Sequence, residues 1–103
     1  MLIILSKNNI PIRITEERWN HITSRHPEMC EQKEKVLETI KEPDLIQKGD
    51  FKELLAIRFY KRTPLTQKFL VVAYREVSNE DGFVITTYFT RRVSERRETL
   101  WKQ

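Results

Sequence analysis

The sequence predicts an α+β domain, with an N-terminal hairpin and two helices packed on one face of a curved antiparallel sheet of about four strands. Three observations lead there. Apolar, β-branched and aromatic runs separated by turn residues open the chain and fill its second half. Between them, apolar side chains recur at helical spacing. The 103 residues, 39% of them hydrophobic, are the length of one core, so a single domain over 1–103 is expected.

Leu2–Leu5 and Ile10–Ile14 are β-rich runs on either side of Ser6–Asn9, which predicts a hairpin whose second strand is confined to a sheet edge by Pro11. Thr15 stands where an N-cap belongs, and Glu16 and Glu17 put acids in the first helical turn. Trp19, Ile22 and His26 then recur at helical spacing, so a helix is expected over about 16–25, stopped by Pro27. Pro27 suits the first position of a second helix, whose stripe of Met29, Val36, Leu37 and Ile40 ends at Pro43 and Asp44. Strands over about 51–62, 67–77 and 83–91, joined by Thr63–Thr66 and Ser78–Gly82, make an antiparallel meander, with Leu45–Lys48 as a leading strand. Ser94–Trp101 is expected as a short final helix or as a tail laid across the core.

Alternation assigns the faces. One side collects Leu55, Ile57 and Phe59, then Phe69, Val71 and Ala73, then Phe83, Ile85, Thr87 and Phe89; the helices are expected to cover it. The other collects Arg58, Tyr60 and Arg62, then Tyr74 and Glu76, then Val84, Thr86, Tyr88, Thr90 and Arg92. A sheet face left to water is polar for that reason alone, so a solvated surface and a binding surface both remain open.

The net charge of +4 is unevenly spread: residues 1–50 hold eight Lys/Arg against nine Asp/Glu, residues 51–103 eleven against six. Such a basic second half favours a polyanionic partner, nucleic acid being the commonest. The longest apolar runs fall far short of the roughly 20 residues that span a bilayer, and no secretory signal pattern follows Met1, so no membrane partner is expected. The one cysteine, Cys30, makes no internal disulfide, which with the other features predicts a cytoplasmic protein.

Both histidines lie in His21–Glu28. His21 and Arg25 are i and i+4 neighbours on the first helix and His26 ends it, so two imidazoles and a guanidinium gather within about two turns. Imidazoles exchange protons near neutral pH and a guanidinium stabilises a phosphoryl group in transfer, which points to acid/base work on a phosphodiester. The bland alternative is a helix-terminal His26 and a merely exposed His21. The spacing of the two histidines is not that of a metal-binding helix pair, and no cofactor fingerprint is present, so neither a metal nor a cofactor is expected. Cys30, placed in the first turn of the second helix, is a minor nucleophile candidate.

The segment His21–Glu28, a helix, Pro43 and Asp44, a three-strand meander and the run Val84–Thr90 together resemble the phage-associated branch of the barnase, EndoU, colicin and RelE like (BECR) nuclease superfamily, over about residues 15–92. The resemblance implies N-terminal helices on a four-stranded antiparallel sheet and metal-independent RNA cleavage, often as a toxin or a phage or mobile-element effector. The family's helical His and Arg-His pair match His21, Arg25 and His26; the polar positions of its last strand match Thr86, Tyr88 and Thr90. The chain departs from the pattern at Thr87, where a small residue such as Ala is expected.

On that basis the expected mechanism is transesterification. One imidazole, His21 preferred, deprotonates the ribose 2′-hydroxyl, and His26 or Tyr88 protonates the leaving 5′-oxygen. Arg25 with Arg58 stabilises the phosphorane-like state, and Thr90 orients the phosphate. Thr86, Tyr74 and Arg92 complete the substrate surface. The rival reading is a nonenzymatic RNA-binding domain whose Tyr74 and Tyr88 stack bases, and a third is a module that docks a cognate inhibitor or antitoxin.

Overall fold

The structure, a computed structural model, describes residues 1–103. In chain order its elements are β1 (Leu2–Leu5), β2 (Pro11–Ile14), α1 (Glu16–Arg25), a 3-10 turn (Pro27–Met29), α2 (Lys33–Lys41), β3 (Leu45–Lys48), β4 (Leu54–Phe59), β5 (Phe69–Ser78), β6 (Asp81–Thr90) and β7 (Thr99–Lys102). All seven strands join one sheet in the order β1-β2-β6-β5-β4-β3-β7. The α+β class is therefore as expected, and β3-β4-β5-β6 is an antiparallel run of four strands. The sheet is larger than expected and mixed: the hairpin joins it through a short parallel pairing of β2 with β6, and β7 extends its other side.

α1 forms where the N-cap signal puts it, with the Arg18 amide donating to Thr15 Oγ1 at 3.1 Å. The second helix starts later than expected. Between Pro27 and Gln32 the amides bond three residues back, to the carbonyls of His26, Pro27 and Met29, so the chain makes tight 3-10 turns before α2 begins at Lys33. Cys30 consequently lies outside any α-helix, exposed, without the helix terminus that would activate a thiol. Pro11 does not mark an edge: β2 is flanked by β1 and β6, and Pro11 is its first residue, ahead of the pairing of Ile12 with Gly82. At that junction the backbones crowd together. A Cβ on Gly82 would stand 2.5 Å from Ile12 Cδ1 and 2.6 Å from the Arg75 carbonyl oxygen.

The helix-covered face is the reverse of the expected one. Trp19 and Ile22 of α1, Met29, and Val36 and Ile40 of α2 bury themselves against Ile12, Ile14, Ala56, Leu70, Val72, Tyr74, Val84 and Phe89. Leu55, Ile57, Val71 and Ala73 face the other way and make a smaller cluster with Leu45, Phe69, Ile85, Tyr88 and Val93. Both faces of the central strands are apolar, so alternation alone could not say which one the helices take. A register shift opposite Ala73 and Tyr74 also inserts Ile85 as an extra residue in β6, which puts Val84 and Thr87 on the same face. Thr87 is accepted in the core because its Oγ1 donates to the Val71 carbonyl at 2.8 Å.

From β6 the chain must cross β5, β4 and β3 to reach β7. Residues 91–98 make that crossing over the second face, where Val93 packs on the smaller cluster and Gln47 Nε2 donates to the Ser94 carbonyl at 2.8 Å. No final helix forms; the crossing tail, the other outcome expected for this stretch, is present. The sheet curls until Lys7, in the turn after β1, stands 4.5 Å over the Trp101 ring on β7.

Candidate functional site

β2 pairs with β6 only at Gly82 and Phe83, after which the chain leaves the sheet to form α1. α1 then takes the place of a neighbouring strand along the edge of β6: Arg18 Nη1 reaches the Ile85 carbonyl at 3.4 Å near its start, and His26 reaches Tyr88 at its end. His26 caps the helix, its amide donating to the Ile22 carbonyl at 2.7 Å, and Pro27 after it disfavours further helix. The backbone at φ −128°, ψ 74° brings the imidazole centroid to 6.1 Å from the Tyr88 ring, with the planes 33° apart. Its Nδ1 lies 3.6 Å from Glu28 Oε2, in the 3-10 turn. The carboxylate thus stands beside Nδ1 without a hydrogen bond to it.

Thr86, Tyr88 and Thr90 share the second face, as expected, in cross-strand register with Ala73, Val71 and Phe69. Thr90 Oγ1 donates to the Arg92 carbonyl at 3.3 Å, where the crossing segment begins. That segment and Phe69 line the largest cavity of the molecule, about 680 Å³, walled by Arg91, Arg92, Val93, Ser94, Glu95 and Arg96. Arg97 is held by Asp50, at 3.0 and 3.2 Å, whereas Arg91, Arg92 and Arg96 enter no ion pair. Tyr88, beside His26, and Thr90 thus lie on the strand that leads directly into the segment bearing three unpaired guanidiniums.

The structure does not bring all the expected residues together. His21 is exposed in a shallow concavity with Thr15, Glu17 and Arg18, and lies about 140° around the helix from His26 at 100° per residue. Arg25 is exposed in the last turn of α1. Arg58 is on the wrong face: its row pairs with Leu70 and Phe89, and its guanidinium is held by the Glu42 carbonyl at 2.5 Å and by Glu38 Oε1 at 3.5 Å. Tyr74, expected to stack a base, is 0% exposed within the main core and has no ring face to present. Burial first, and then the charge of Glu76, pushes its phenol well above the ordinary value of 10.0. Tyr60 is pushed up as well, by burial first and further by Glu38, to which its hydroxyl donates at 2.7 Å. Neither phenol is placed to give up a proton near neutral pH.

No protein-family model, curated protein or solved structure matches the chain. No helix is long and apolar enough to cross a membrane, and no three His, Cys, Asp or Glu side chains are grouped to hold a metal ion. Glu28, Phe69, Arg91 and Arg96 join the site from the structure alone. The sequence signal for the arginines is four of them within the seven residues 91–97, immediately after a strand of alternating hydroxyl residues.

Proposed function

We propose that this protein is a metal-independent endoribonuclease of BECR type that cleaves RNA through attack of the ribose 2′-hydroxyl on the adjacent phosphorus. The observation that carries this reading is the approach of the His26 imidazole to Tyr88 at the edge of β6, at the head of a surface bearing unpaired arginines. In the proposed reaction His26 takes the 2′-hydroxyl proton, and the Glu28 carboxylate, 3.6 Å from Nδ1, favours the imidazolium that forms. The 2′-oxygen bonds to phosphorus, the bond from phosphorus to the 5′-oxygen breaks, and Tyr88 supplies the proton that the departing oxygen needs. Arg92 balances the charge of the phosphorane-like state, and Thr90 orients a non-bridging oxygen. The products are a 2′,3′-cyclic phosphate and a 5′-hydroxyl.

His26 thereby takes the role that the sequence assigned first to His21. The arginines by themselves would also suit a module that binds RNA without cutting it; the imidazole beside a carboxylate and a phenol is what favours cleavage. The test is cleavage of mixed RNA in excess EDTA by the wild-type protein and by His26→Ala of confirmed fold. Cleavage by the first and not the second is expected; equal cleavage by both, or none by either, overturns the assignment.

A further inference from the structure

The geometry points to the cavity walled by the crossing segment, together with the exposed Phe59 ring beside its Phe69 wall, as a track for single-stranded RNA, in which the two phenylalanines stack an unpaired base and Arg91 and Arg96 hold the flanking phosphates. This deepens the ribonuclease reading and rests on it for the choice of RNA as the polyanion.

Three features combine here. The first is a wall of guanidiniums: Arg91, Arg92 and Arg96 line a volume of about 680 Å³ with Glu95 as the single carboxylate, and no ion pair neutralises any of the three. The second is an aromatic pair, one ring of which lines the cavity. Phe59 on β4 and Phe69 on β5 are cross-strand partners, with ring centroids 5.6 Å apart and planes at 65°. Phe59 remains 51% exposed on an apolar ring that the fold does not cover, and Phe69 lines the cavity itself. The third is continuity: Phe69 is in register with Thr90, two residues along the same face from Tyr88, about 7 Å at the usual rise of a strand. A phosphate at Tyr88 therefore lies within about one nucleotide of the aromatic pair.

Aromatic rings beside a guanidinium wall bind nucleic acid by stacking bases and tracking phosphates. That mode selects single strands, because the bases of a duplex are stacked on each other and their faces are hidden. Charge alone would accept any polyanion; the exposed phenylalanine pair is what singles out unpaired bases. Arg97 is excluded from the track because Asp50 already holds it.

The test uses 2′-O-methyl RNA, which lacks the attacking hydroxyl, so binding is read independently of cleavage. Fluorescence anisotropy would compare a mixed-sequence single strand with a hairpin duplex of the same length, for the wild-type protein and for Phe59→Ala, Phe59→Tyr, Arg91→Gln and Arg96→Gln. Stacking on one ring corresponds to a loss of about 5- to 150-fold for Phe59→Ala, with Phe59→Tyr near wild type. Each arginine variant is expected to make the dependence of log K on log salt shallower by about 0.7. Duplex bound as tightly as single strand, or Phe59→Ala and both arginine variants binding as wild type, overturns the track and leaves the cleavage reading to its own assay. A synthetic polyglutamate that binds the wild type as tightly as the single strand, with Phe59→Ala unaffected, overturns it in favour of an acidic protein partner. Loss of binding in the variants of a protein that never cuts RNA supports the track and refutes the nuclease reading alone.

Discussion

Replacing Tyr74 by Phe removes one oxygen atom and separates a structural tyrosine from a functional one. The Tyr74 hydroxyl is buried, with no hydrogen-bond partner, in a side chain that is 0% exposed. A buried hydroxyl left unpaired costs about 1–3 kcal/mol, and a Phe ring fills the same space without that cost. Tyr74→Phe is therefore expected to stabilise the protein by about 1–3 kcal/mol, and for a domain of this size each kcal/mol raises Tm by about 4–8 °C. The pH dependence gives an independent readout. Burial raises the Tyr74 phenol above its ordinary value of 10.0, so above about pH 10 the unfolded chain loses this proton while the folded chain keeps it. The unfolded state then binds fewer protons, and wild-type stability falls by about 1.4 kcal/mol per pH unit from this residue, continuing until the folded phenol ionises. Tyr60, raised in the same direction, steepens the same limb. Urea titrations at pH 7 and at intervals from pH 9 to 11.5 should show a more stable Tyr74→Phe protein with a flatter alkaline limb and unchanged RNA cleavage. A variant destabilised by 1 kcal/mol with the alkaline limb unchanged would refute the burial argument, and selective loss of cleavage would return Tyr74 to the site.

Other substitutions probe the site and the frame that carries it. His26→Ala should lower cleavage about 100- to 10,000-fold, the usual worth of one general acid or base, while His21→Ala, exposed and away from Tyr88, should stay within a few-fold of wild type in initial-rate assays. Tyr88→Phe keeps the ring and removes the proton donor, so a loss in the same range is expected with the fold unchanged by circular dichroism. Gly82→Ala puts a Cβ against Ile12 and the Arg75 backbone where β2 meets β6, and thermal melts should show a loss of about 1–3 kcal/mol. Thr15→Ala removes the cap of α1 and should cost about 1 kcal/mol by urea titration.

The order of elements was legible because its signals are local. Thr15, Glu16 and Glu17 announce α1, the runs from Leu2 and Ile10 announce the hairpin, and the meander follows from apolar runs broken at Thr63–Thr66 and near Asn79. The face the helices cover was not legible, because Leu55, Ile57 and Val71 are as apolar as Leu70, Val72 and Val84; the extra residue Ile85 then breaks the alternation in β6. That one ambiguity misplaced Tyr74 and Arg58 together. The parallel pairing of β2 with β6 is set by tertiary packing around Gly82, which no period in the sequence records. Alternation does place Tyr88 and Thr90 together on the second face, and Pro27 marks His26 as the helix terminus. Which imidazole meets Tyr88 depended on where the chain turns out of α1, a matter of the His26 backbone conformation and not of spacing along the helix.

The most direct test of transesterification compares RNA with 2′-O-methyl RNA of the same mixed sequence, both incubated with the wild-type protein in excess EDTA and analysed for product ends. Attack by the ribose hydroxyl predicts that only the RNA is cut, and that its new ends are 2′,3′-cyclic phosphate and 5′-hydroxyl. Both substrates cut, or neither, would contradict it.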